Sequence, residues 1–303
     1  MSTGAVASPT LSNRAASSVL PVTVVVIAIF IIWYAATVFL NMAWERSSAE
    51  RAGTAPSLMT MVENTLRQER PVLPAPHQVI TEVYNTTIKK KVSSKRSLVY
   101  HARITLSSSM LGFAMGTLLG IVLAVAIVYN DALNKSLLPW IIASQTIPIL
   151  AIAPMIIVVL NAIGVQGLLP KAFISMYLSF FPVVVGMVKG LSSADRSHMD
   201  LMRTYSASGA QTFWKLRLPT SLPYLFTSMK VAVAISLVGA IVAELPTGAV
   251  AGLGARLLAG SYYGQTIQIW SALVVASMLA ALLVALIGLI GTWVNRRMGL
   301  ADV

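Results

Sequence analysis

The segment Asp200-Leu-Met-Arg-Thr-Tyr-Ser206-Ala-Ser-Gly209-Ala-Gln-Thr-Phe-Trp214-Lys-Leu-Arg-Leu218-Pro219 is a polar, basic stretch between two long hydrophobic runs. It lies in a chain of 303 residues that is 56% hydrophobic and 11% charged, with a mean hydropathy of +0.78. So little polar surface cannot cover a water-soluble globule of this size. The composition therefore predicts an all-α polytopic membrane protein, in which the quoted segment is a water-facing loop.

Six hydrophobic runs are long enough to cross a bilayer, whose core needs about 20 apolar residues per helix. The predicted spans cover residues 20–40, 104–128, 139–163, 169–188, 231–253 and 267–294. The first run is too long for the hydrophobic region of a signal peptide, and no small-x-small cleavage site follows it. We therefore expect an N-terminal tail at 1–19, an uncleaved anchor at 20–40, a core of five spans at 104–295 and a C-terminal tail at 296–303.

Lysines and arginines in the short loops predict which side of the membrane each loop occupies. If both termini are cytoplasmic, two bases, Lys171 and Arg256, fall in the short outside loops. The bases inside are Arg14, Lys135, Lys189, Arg196, Arg203, Lys215, Arg217, Arg296 and Arg297. Topology and lipid headgroups also explain the net charge of +12, and no aromatic-studded basic patch indicates nucleic acid.

Residues 41–103 form a long segment that this orientation places outside. Its run Lys89-Lys90-Lys91 alone favours the opposite side, but segments of about 60 residues follow the charge rule poorly. Apolar residues at helical spacing predict an amphipathic helix over His77–Ile88. These residues are Val79, Ile80, Val83, Tyr84 and Ile88. Such a helix suits a connector at the bilayer surface or a docking surface for an external partner.

Small and polar residues mark two further spans. Gly112, Gly116 and Gly120 recur every four residues, which predicts close packing of another helix against that face. Gln145 and Thr146 precede Pro148 at membrane depth. There they either satisfy carbonyls freed by proline or line a water-filled path.

Glu244 is the one acidic residue inside a predicted span, where a carboxylate costs at least about 2.5 kcal/mol. Pro246 and Gly248 follow it and predict an interrupted helix. Two roles remain open for Glu244. It either serves a translocation pathway or gate, together with Gln145 and Thr146, or it caps the broken helix.

The sequence predicts no catalytic or metal site. The chain has no cysteine, and its histidines, His77, His101 and His198, lie far apart without metal-ligand spacing. A phosphate-binding loop of the type G-x4-G-K-[ST] is missing, as is any converging Ser/His/Asp set. If ATP drives this protein, another chain must hydrolyse it.

The opening segment resembles the cytoplasmic loop of ABC importer permeases of the binding-protein-dependent type. That family carries Glu-Ala-Ala, three residues, Gly, nine residues and Ile-x-Leu-Pro between two transmembrane helices. Here Asp200-Leu-Met202 stands at the Glu-Ala-Ala positions, Ser206 at the glycine and Leu216-Arg-Leu218-Pro219 at the close. The flanks resemble the permeases of nitrate, sulfonate, taurine and pyrimidine-precursor importers. These flanks are Arg203 to Gly209, Leu218 to Phe226, Leu111 to Gly116 and Ala243-Glu244, and the likeness covers roughly Leu98 to Arg297.

The resemblance implies a type I ABC importer permease fold whose loop at 189–220 contains a coupling helix that seats in an ATPase groove. Asp200 is expected near the N-terminus of that helix, facing a base of the ATPase, and Phe213, Trp214 and Leu216 are expected to supply apolar contacts. The implied coupling residues are Asp200, Arg203, Ser206, Gly209, Phe213, Trp214, Leu216, Leu218 and Pro219.

The same resemblance implies the partners. They are an ATPase dimer that holds ATP and Mg, a second permease copy or paralogue, and an extracytoplasmic substrate-binding protein. This chain itself would hold no cofactor and would reside in a bacterial inner membrane. The basic external segment is compatible with an anionic solute and equally with lipid headgroup contact.

Leu201-Met202 and Ser206 depart from the family's small residues and glycine. Either the ATPase groove is wider here, or a second, different permease carries the fuller motif. Two rival functions also remain: a secondary transporter that uses Glu244 as an ion or proton site, and a non-transporting membrane scaffold.

Overall fold

The structure is a computed structural model that describes residues 11–54, 56–245, 249 and 251–299, with side chains from residue 20 onward. Every regular element in these ranges is helical. The helices are α1 (Leu11–Arg51), α2 (Leu58–Arg67), α3 (Pro76–Tyr84), α4 (Leu98–Tyr129), α5 (Asp131–Ser144), α6 (Ile149–Ala162), α7 (Leu168–Leu191), α8 (Arg196–Thr204), α9 (Gly209–Thr212), α10 (Leu218–Glu244), α11 (Leu253–Tyr262) and α12 (Thr266–Arg297). The predicted interruption at Pro246 and Gly248 lies outside the described residues, as do the ends of both tails, 1–10 and 300–303.

The chain divides into two compact units. The first contains the described residues up to Tyr84 together with Gly264–Ser271. Its helix α1 continues past Leu40, the predicted end of the first span, because no residue breaks the helix before Gly53, whose φ is +63°. The polar end of α1 therefore extends beyond the hydrophobic run.

Asn41 organises this first unit. Its buried side chain accepts a hydrogen bond from the Val72 amide at 2.8 Å and donates one to the Leu73 carbonyl at 3.0 Å. Trp33 donates to the Pro74 carbonyl at 3.0 Å. These bonds hold the proline-containing stretch against α1 and satisfy backbone groups that no helix uses.

The amphipathic helix predicted over His77–Ile88 is present as α3, followed by a π-helical turn at Asn85–Lys89. Val79 is buried, whereas Ile80, Tyr84 and Ile88 are exposed. An apolar side chain on the outer face is compatible with a bilayer surface and with a docking partner. The two predicted roles of this helix therefore both stand.

The second unit contains Asn85–Tyr263 and the described residues from Ala272, and α7 is its central helix. The glycine stripe of α4 faces α7, as the sequence predicts. A Cβ atom at Gly120 would lie 2.7 Å from Val183 Cβ, and Gly112 and Gly116 meet Ser175 and Ser179 in the same way. The two backbones therefore approach as closely as they do because the stripe has no side chains.

The helix α7 also packs against α10 through small residues. Gly190 meets Ser221, and Gly239 meets Ser175. Ser175 donates a hydrogen bond to the Ser236 carbonyl at 3.0 Å, and the Ser236 hydroxyl donates to the Ser109 carbonyl of α4 at 2.6 Å. We call this group of α4, α7 and α10 the small-residue seam. Its interhelical bonds pair hydroxyls that would otherwise be unsatisfied in an apolar interior.

The contacts of the seam fix the directions of its helices. Along the contact between α4 and α7, the residue numbers of both helices increase in the same direction, from Gly112 with Ser175 to Gly120 with Val183. The two helices therefore run parallel. The carboxyl end of α4 and the amino end of α7 therefore lie at opposite faces of the membrane. The chain between them, α5 and α6, must cross back.

For this crossing the hydropathy predicts one straight helix over residues 139–163. The structure has a bent pair of helices instead. The helices α5 and α6 meet at an angle of 98°, and Pro148 caps α6 where the bend occurs. Proline cannot donate the hydrogen bond that a continuous helix needs at that position. With α1, α4, α7, α10 and α12, this bent pair gives the six predicted crossings among the described residues.

The helix α10 begins at Leu218, earlier than the span predicted from Val231, and ends at Glu244 rather than at Leu253. Hydropathy misplaced its start because Thr220, Ser221 and Lys230 lower the mean over its first turns. Since the Pro219 ring suits a first helical turn, the water-facing loop passes into α10 without an intervening coil.

Candidate functional site

The segment between α7 and α10, residues 192–217, is called the α7–α10 loop below. It begins with α8, which Asp195 caps by accepting a hydrogen bond from the Ser197 amide at 3.3 Å. Asp195 thus holds the N-terminal position expected for Asp200, and that expectation is wrong. Asp200 lies in the middle of α8 and accepts a hydrogen bond from Arg203 at 3.0 Å. Both side chains are largely exposed, so the pair adds little stability and is accessible to a partner.

Ser206 ends α8 in a left-handed conformation with φ of +50°, the only positive φ of a non-glycine residue in the described ranges. Its amide donates to the Arg203 carbonyl at 2.8 Å, and the Ala207 amide donates to the Met202 carbonyl at 2.9 Å. These two bonds form a Schellman motif, which glycine normally completes. Ser206, which stands at the motif's glycine position, therefore keeps the backbone shape of glycine under strain.

A second capped turn follows directly. The Ser208 hydroxyl accepts from the Gln211 amide at 3.2 Å, and the Gln211 side chain accepts from the Ser208 amide at 2.9 Å. This capping box starts α9 at Gly209, and the π-helical turn Phe213–Arg217 joins it to α10. The loop is thus a series of locally bonded turns.

The aromatic residues of the loop face in different directions. Trp214 is 66% exposed and Tyr205 is 77% exposed, and Leu201 is also exposed. Phe213, in contrast, packs against the seam core and lies edge-on to Tyr129 at 6.0 Å between ring centroids. Trp214 therefore offers the apolar surface that the resemblance implies, whereas Phe213 anchors the loop. Leu216 is half-buried and lies between these extremes.

Tyr129, the last residue of α4, connects the loop to the seam. The Arg217 guanidinium lies 5.2 Å from the centre of the Tyr129 ring, on which Phe213 also packs. Neither Tyr129 nor Tyr205 is among the coupling residues that the resemblance implies. Tyr205 lies inside the quoted segment, next to Ser206, and that position was the available signal, but no local pattern indicated that Tyr129 meets residues so far along the chain.

Glu244 is fully buried at the end of α10, at the face opposite the α7–α10 loop. Its two carboxylate oxygens lie 3.0 Å from the Thr105 hydroxyl, which donates to them. The Gly254 amide, in the first turn of α11, donates to Oε2 at 2.8 Å. The carboxylate thus caps α11, where the helix dipole favours a negative charge.

The backbone around Glu244 has no room for other side chains. A Cβ atom at Gly252 would overlap the Glu244 carboxylate, and one at Gly254 would lie 2.8 Å from Glu244 Cβ. The Leu253 amide donates to Thr105 at 2.8 Å, and the Gly252 amide donates to His101 at 3.0 Å. We call Glu244, Thr105, His101 and the amides of 252–254 the Glu244 network. It supports the structural role of Glu244, as a cap joining α10, α4 and α11.

Gln145 and Thr146 lie at the bend between α5 and α6. The Thr146 hydroxyl donates to the Ala143 carbonyl at 2.7 Å, which repairs a backbone group near the bend. The Gln145 amide group donates to the Ser144 hydroxyl at 3.3 Å. Neither residue contacts Glu244, so the structure does not bring the three candidate pathway residues together.

Residues 116–300 match the protein family described as binding-protein-dependent transport system inner membrane component. The matched range runs from the glycine stripe of α4 to the end of α12. It therefore includes the α7–α10 loop and Glu244.

Curated relatives agree with this match. The chain is 31% identical over 184 residues to the formylaminopyrimidine transport permease protein ThiX of Halalkalibacterium halodurans, covering 60% of this chain and 68% of the relative. It is 24% identical over 277 residues to the nitrate import permease protein NrtB of Leptolyngbya laminosa, covering 83% and 97%. It is 25% identical over 211 residues to the putative aliphatic sulfonates transport permease protein SsuC of Bacillus subtilis, covering 70% and 72%.

Among solved structures, the fold is similar to that of a chain of the inward-facing MetNI methionine ABC transporter. The TM-score is 0.56 at 20% identity, and the match covers 66% of this chain and 95% of that one. At this identity the likeness concerns the fold alone. It confirms the type I ABC importer permease fold.

Proposed function

Since this chain belongs to the family of binding-protein-dependent transport system inner membrane components, the permeases of ABC importers, we propose that its α7–α10 loop couples a separate ATPase to transport. The chain would form the translocation path together with a second permease, a copy of itself or a paralogue. An external binding protein would deliver a small solute to that path. ATP and Mg would bind to the ATPase, not to this chain.

The observation that carries this proposal is the build of the α7–α10 loop. It exposes Trp214, Leu201 and the Asp200–Arg203 pair, while its backbone is closed by a Schellman motif and a capping box. Because these bonds join neighbouring residues, we expect the loop to move as one piece when a partner pushes on it. Because the loop runs directly into α10 and is packed on Tyr129 of α4, such a movement is passed to two helices of the seam.

The same geometry supports an orientation. Phe226 lies against Gly291. Phe226 is in the first three turns of α10, next to the loop, and Gly291 is in the last two turns of α12. The carboxyl end of α12, with Arg296 and Arg297, therefore lies at the same face as the basic α7–α10 loop. A cytoplasmic position for this face agrees with the charge rule, and with six crossings the N-terminus is expected at the same face.

Glu244 is not proposed as an ion or proton site of a secondary transporter. Its carboxylate has no exposed surface, and its oxygens are bonded to Thr105 and to the Gly254 amide. A coupling ion would have to displace the bonds that start α11. The family match to ABC permeases also argues against that alternative.

The test uses the permease reconstituted with a Walker-type ATPase and a secreted binding protein, which are first sought in neighbouring reading frames. Trp214→Ala should abolish stimulation of ATP hydrolysis by the loaded binding protein, because it removes the exposed apolar contact, while membrane insertion and thermal stability stay unchanged. Asp200→Arg should reduce coupling by reversing a charge at the same surface. Phe39→Ala, which removes an exposed aromatic side chain from α1, is the matched control. Normal coupling in both loop variants would overturn the proposal.

A further inference from the structure

A cavity of about 510 Å³ opens in the second unit, at the face opposite the α7–α10 loop. Its wall contains Asn161 at the end of α6, Ser107 of α4, and Gly167 and Lys171 at the start of α7. The volume falls within the range of about 300–1,000 Å³ that is typical of small-molecule sites. We call it the Lys171 cavity.

Among the described residues that line this cavity, Lys171 carries the only charge and none is acidic. Its side chain is 15% exposed, so the ammonium is largely removed from water. In the described part of the chain the ammonium donates to the Ala251 carbonyl at 3.4 Å and lies 4.0 Å from Glu244 Oε1. Both distances exceed the range of about 2.7–3.2 Å for a good N–H···O hydrogen bond.

The Glu244 network explains why the Lys171 ammonium makes no short hydrogen bond to the Glu244 carboxylate. Glu244 takes its short hydrogen bonds from Thr105 and from the Gly254 amide, at 3.0 and 2.8 Å. Lys171 is therefore a distant counter-charge to Glu244 and not one of its hydrogen-bond donors. A buried ammonium has three N–H donors and gains from a closer anionic acceptor.

We propose that the Lys171 cavity binds a small oxyanion, of the carboxylate, sulfonate or nitrate class, through the Lys171 ammonium, with Ser107 and Asn161 as neutral hydrogen-bond partners. This inference rests on the proposed function, because it places an anionic solute on the face opposite the coupling loop, where a binding protein would release it. Lys171 supplies the positive charge that attracts an anion. The uncharged residues of the wall add little further discrimination against cations. The site thus selects the anionic group of a solute and leaves the rest of its shape to the binding protein.

The test measures binding of ethanesulfonate to the full-length chain in phosphatidylcholine nanodiscs by saturation-transfer difference NMR. Ethyl methyl sulfone, a neutral molecule of similar size, is the matched ligand control. Ethanesulfonate should bind, and the sulfone should not. Lys171→Met should weaken ethanesulfonate binding at least about tenfold, and Lys171→Arg should retain most of it.

Asn161→Asp is a second variant, because it brings a carboxylate into the cavity wall without touching the Glu244 network. It should weaken ethanesulfonate binding even if Lys171→Met proves unstable. Lys135→Met, which removes an exposed base of the same unit, should leave binding unchanged. Equal binding of the sulfone, or unchanged ethanesulfonate binding in Asn161→Asp, would overturn the anion site.

Two further arms separate the sources of failure. Displacement of ethanesulfonate by phosphatidylglycerol in the nanodisc would assign the site to lipid headgroups and overturn a solute site. Anion binding with uncoupled ATPase in every preparation would refute the coupling proposal and leave the cavity assignment intact. Normal coupling without anion binding would remove only the cavity assignment.

Discussion

The α7–α10 loop and the Glu244 network lie at opposite ends of α10 and are built in opposite ways. The hydrogen bonds of the loop join residues two to five positions apart, as in the bonds of Ser206 and Ala207 to the end of α8. The bonds of the Glu244 network join α4 to α10 and α11, residues that are far apart in the sequence. The bonds of the loop depend on neighbouring residues and do not require other helices, whereas the bonds of the network hold separate helices together. One end of α10 is thus suited to move, and the other to remain fixed.

The largest effect should follow from breaking the fixed end. Glu244→Ala removes the acceptor for Thr105 and for the Gly254 amide and leaves both donors buried. We expect a loss of about 3 kcal/mol or more in the free energy of unfolding, seen as a lower midpoint of thermal unfolding in detergent. Glu63→Ala, which removes an exposed ion pair with Arg67, should change that midpoint little. Equal midpoints for the two variants would show that the network does not hold the helices.

A smaller and more local effect should follow from separating the loop from the seam. Tyr129→Ala removes the ring on which Phe213 and Arg217 pack, a loss of about 1–2 kcal/mol confined to the loop. Amide hydrogen exchange should accelerate in residues 196–217, while exchange in the seam is unchanged. Tyr129→Phe keeps the ring and should exchange like the unaltered chain. Uniform acceleration across α4, α7 and α10 would contradict the distinction between the two ends.

The smallest effect should be stabilising. Ser206→Gly relieves the cost of a left-handed serine, about 1 kcal/mol, and keeps the Schellman bonds of the loop. Amide exchange at positions 206 and 207 should slow by a few-fold. Ser192→Gly, at a helix end with φ of −93°, lacks such relief and should not slow exchange there. Faster exchange in Ser206→Gly would show that the serine side chain, and not the backbone, holds the turn.

Sequence patterns predicted those parts of the fold that repeat at short range. The spacing of Gly112, Gly116 and Gly120 predicted a face for close helix packing, and the structure confirms it. It did not show that α7 lies on that face or runs parallel to α4. Hydropathy found the bent pair as one apolar run, but it could not show the angle at Pro148, because apolar content is the same in a straight and a bent helix.

The candidate functional residues divide in the same way, into those indicated by neighbouring sequence and those that depend on contacts between distant residues. The loop motif predicted an accessible segment, because its residues are neighbours in the sequence. The cap formed by Glu244 was one of two interpretations, and the choice depended on Thr105, which no spacing relates to Glu244. Lys171 was counted only as a topological charge. Its place in a cavity wall depends on how three helices and a distant turn meet.

The small-residue seam also limits where a solute can travel. Where the glycine stripe of α4 meets α7, the helix separation is set by small side chains and backbone atoms, since Gly112 meets Ser175 and Gly116 meets Ser179. At the Gly112 and Gly116 contacts no long side chain lies between the two backbones, so a rotamer change there cannot open a channel. A path between α4 and α7 would therefore require these two backbones to move apart.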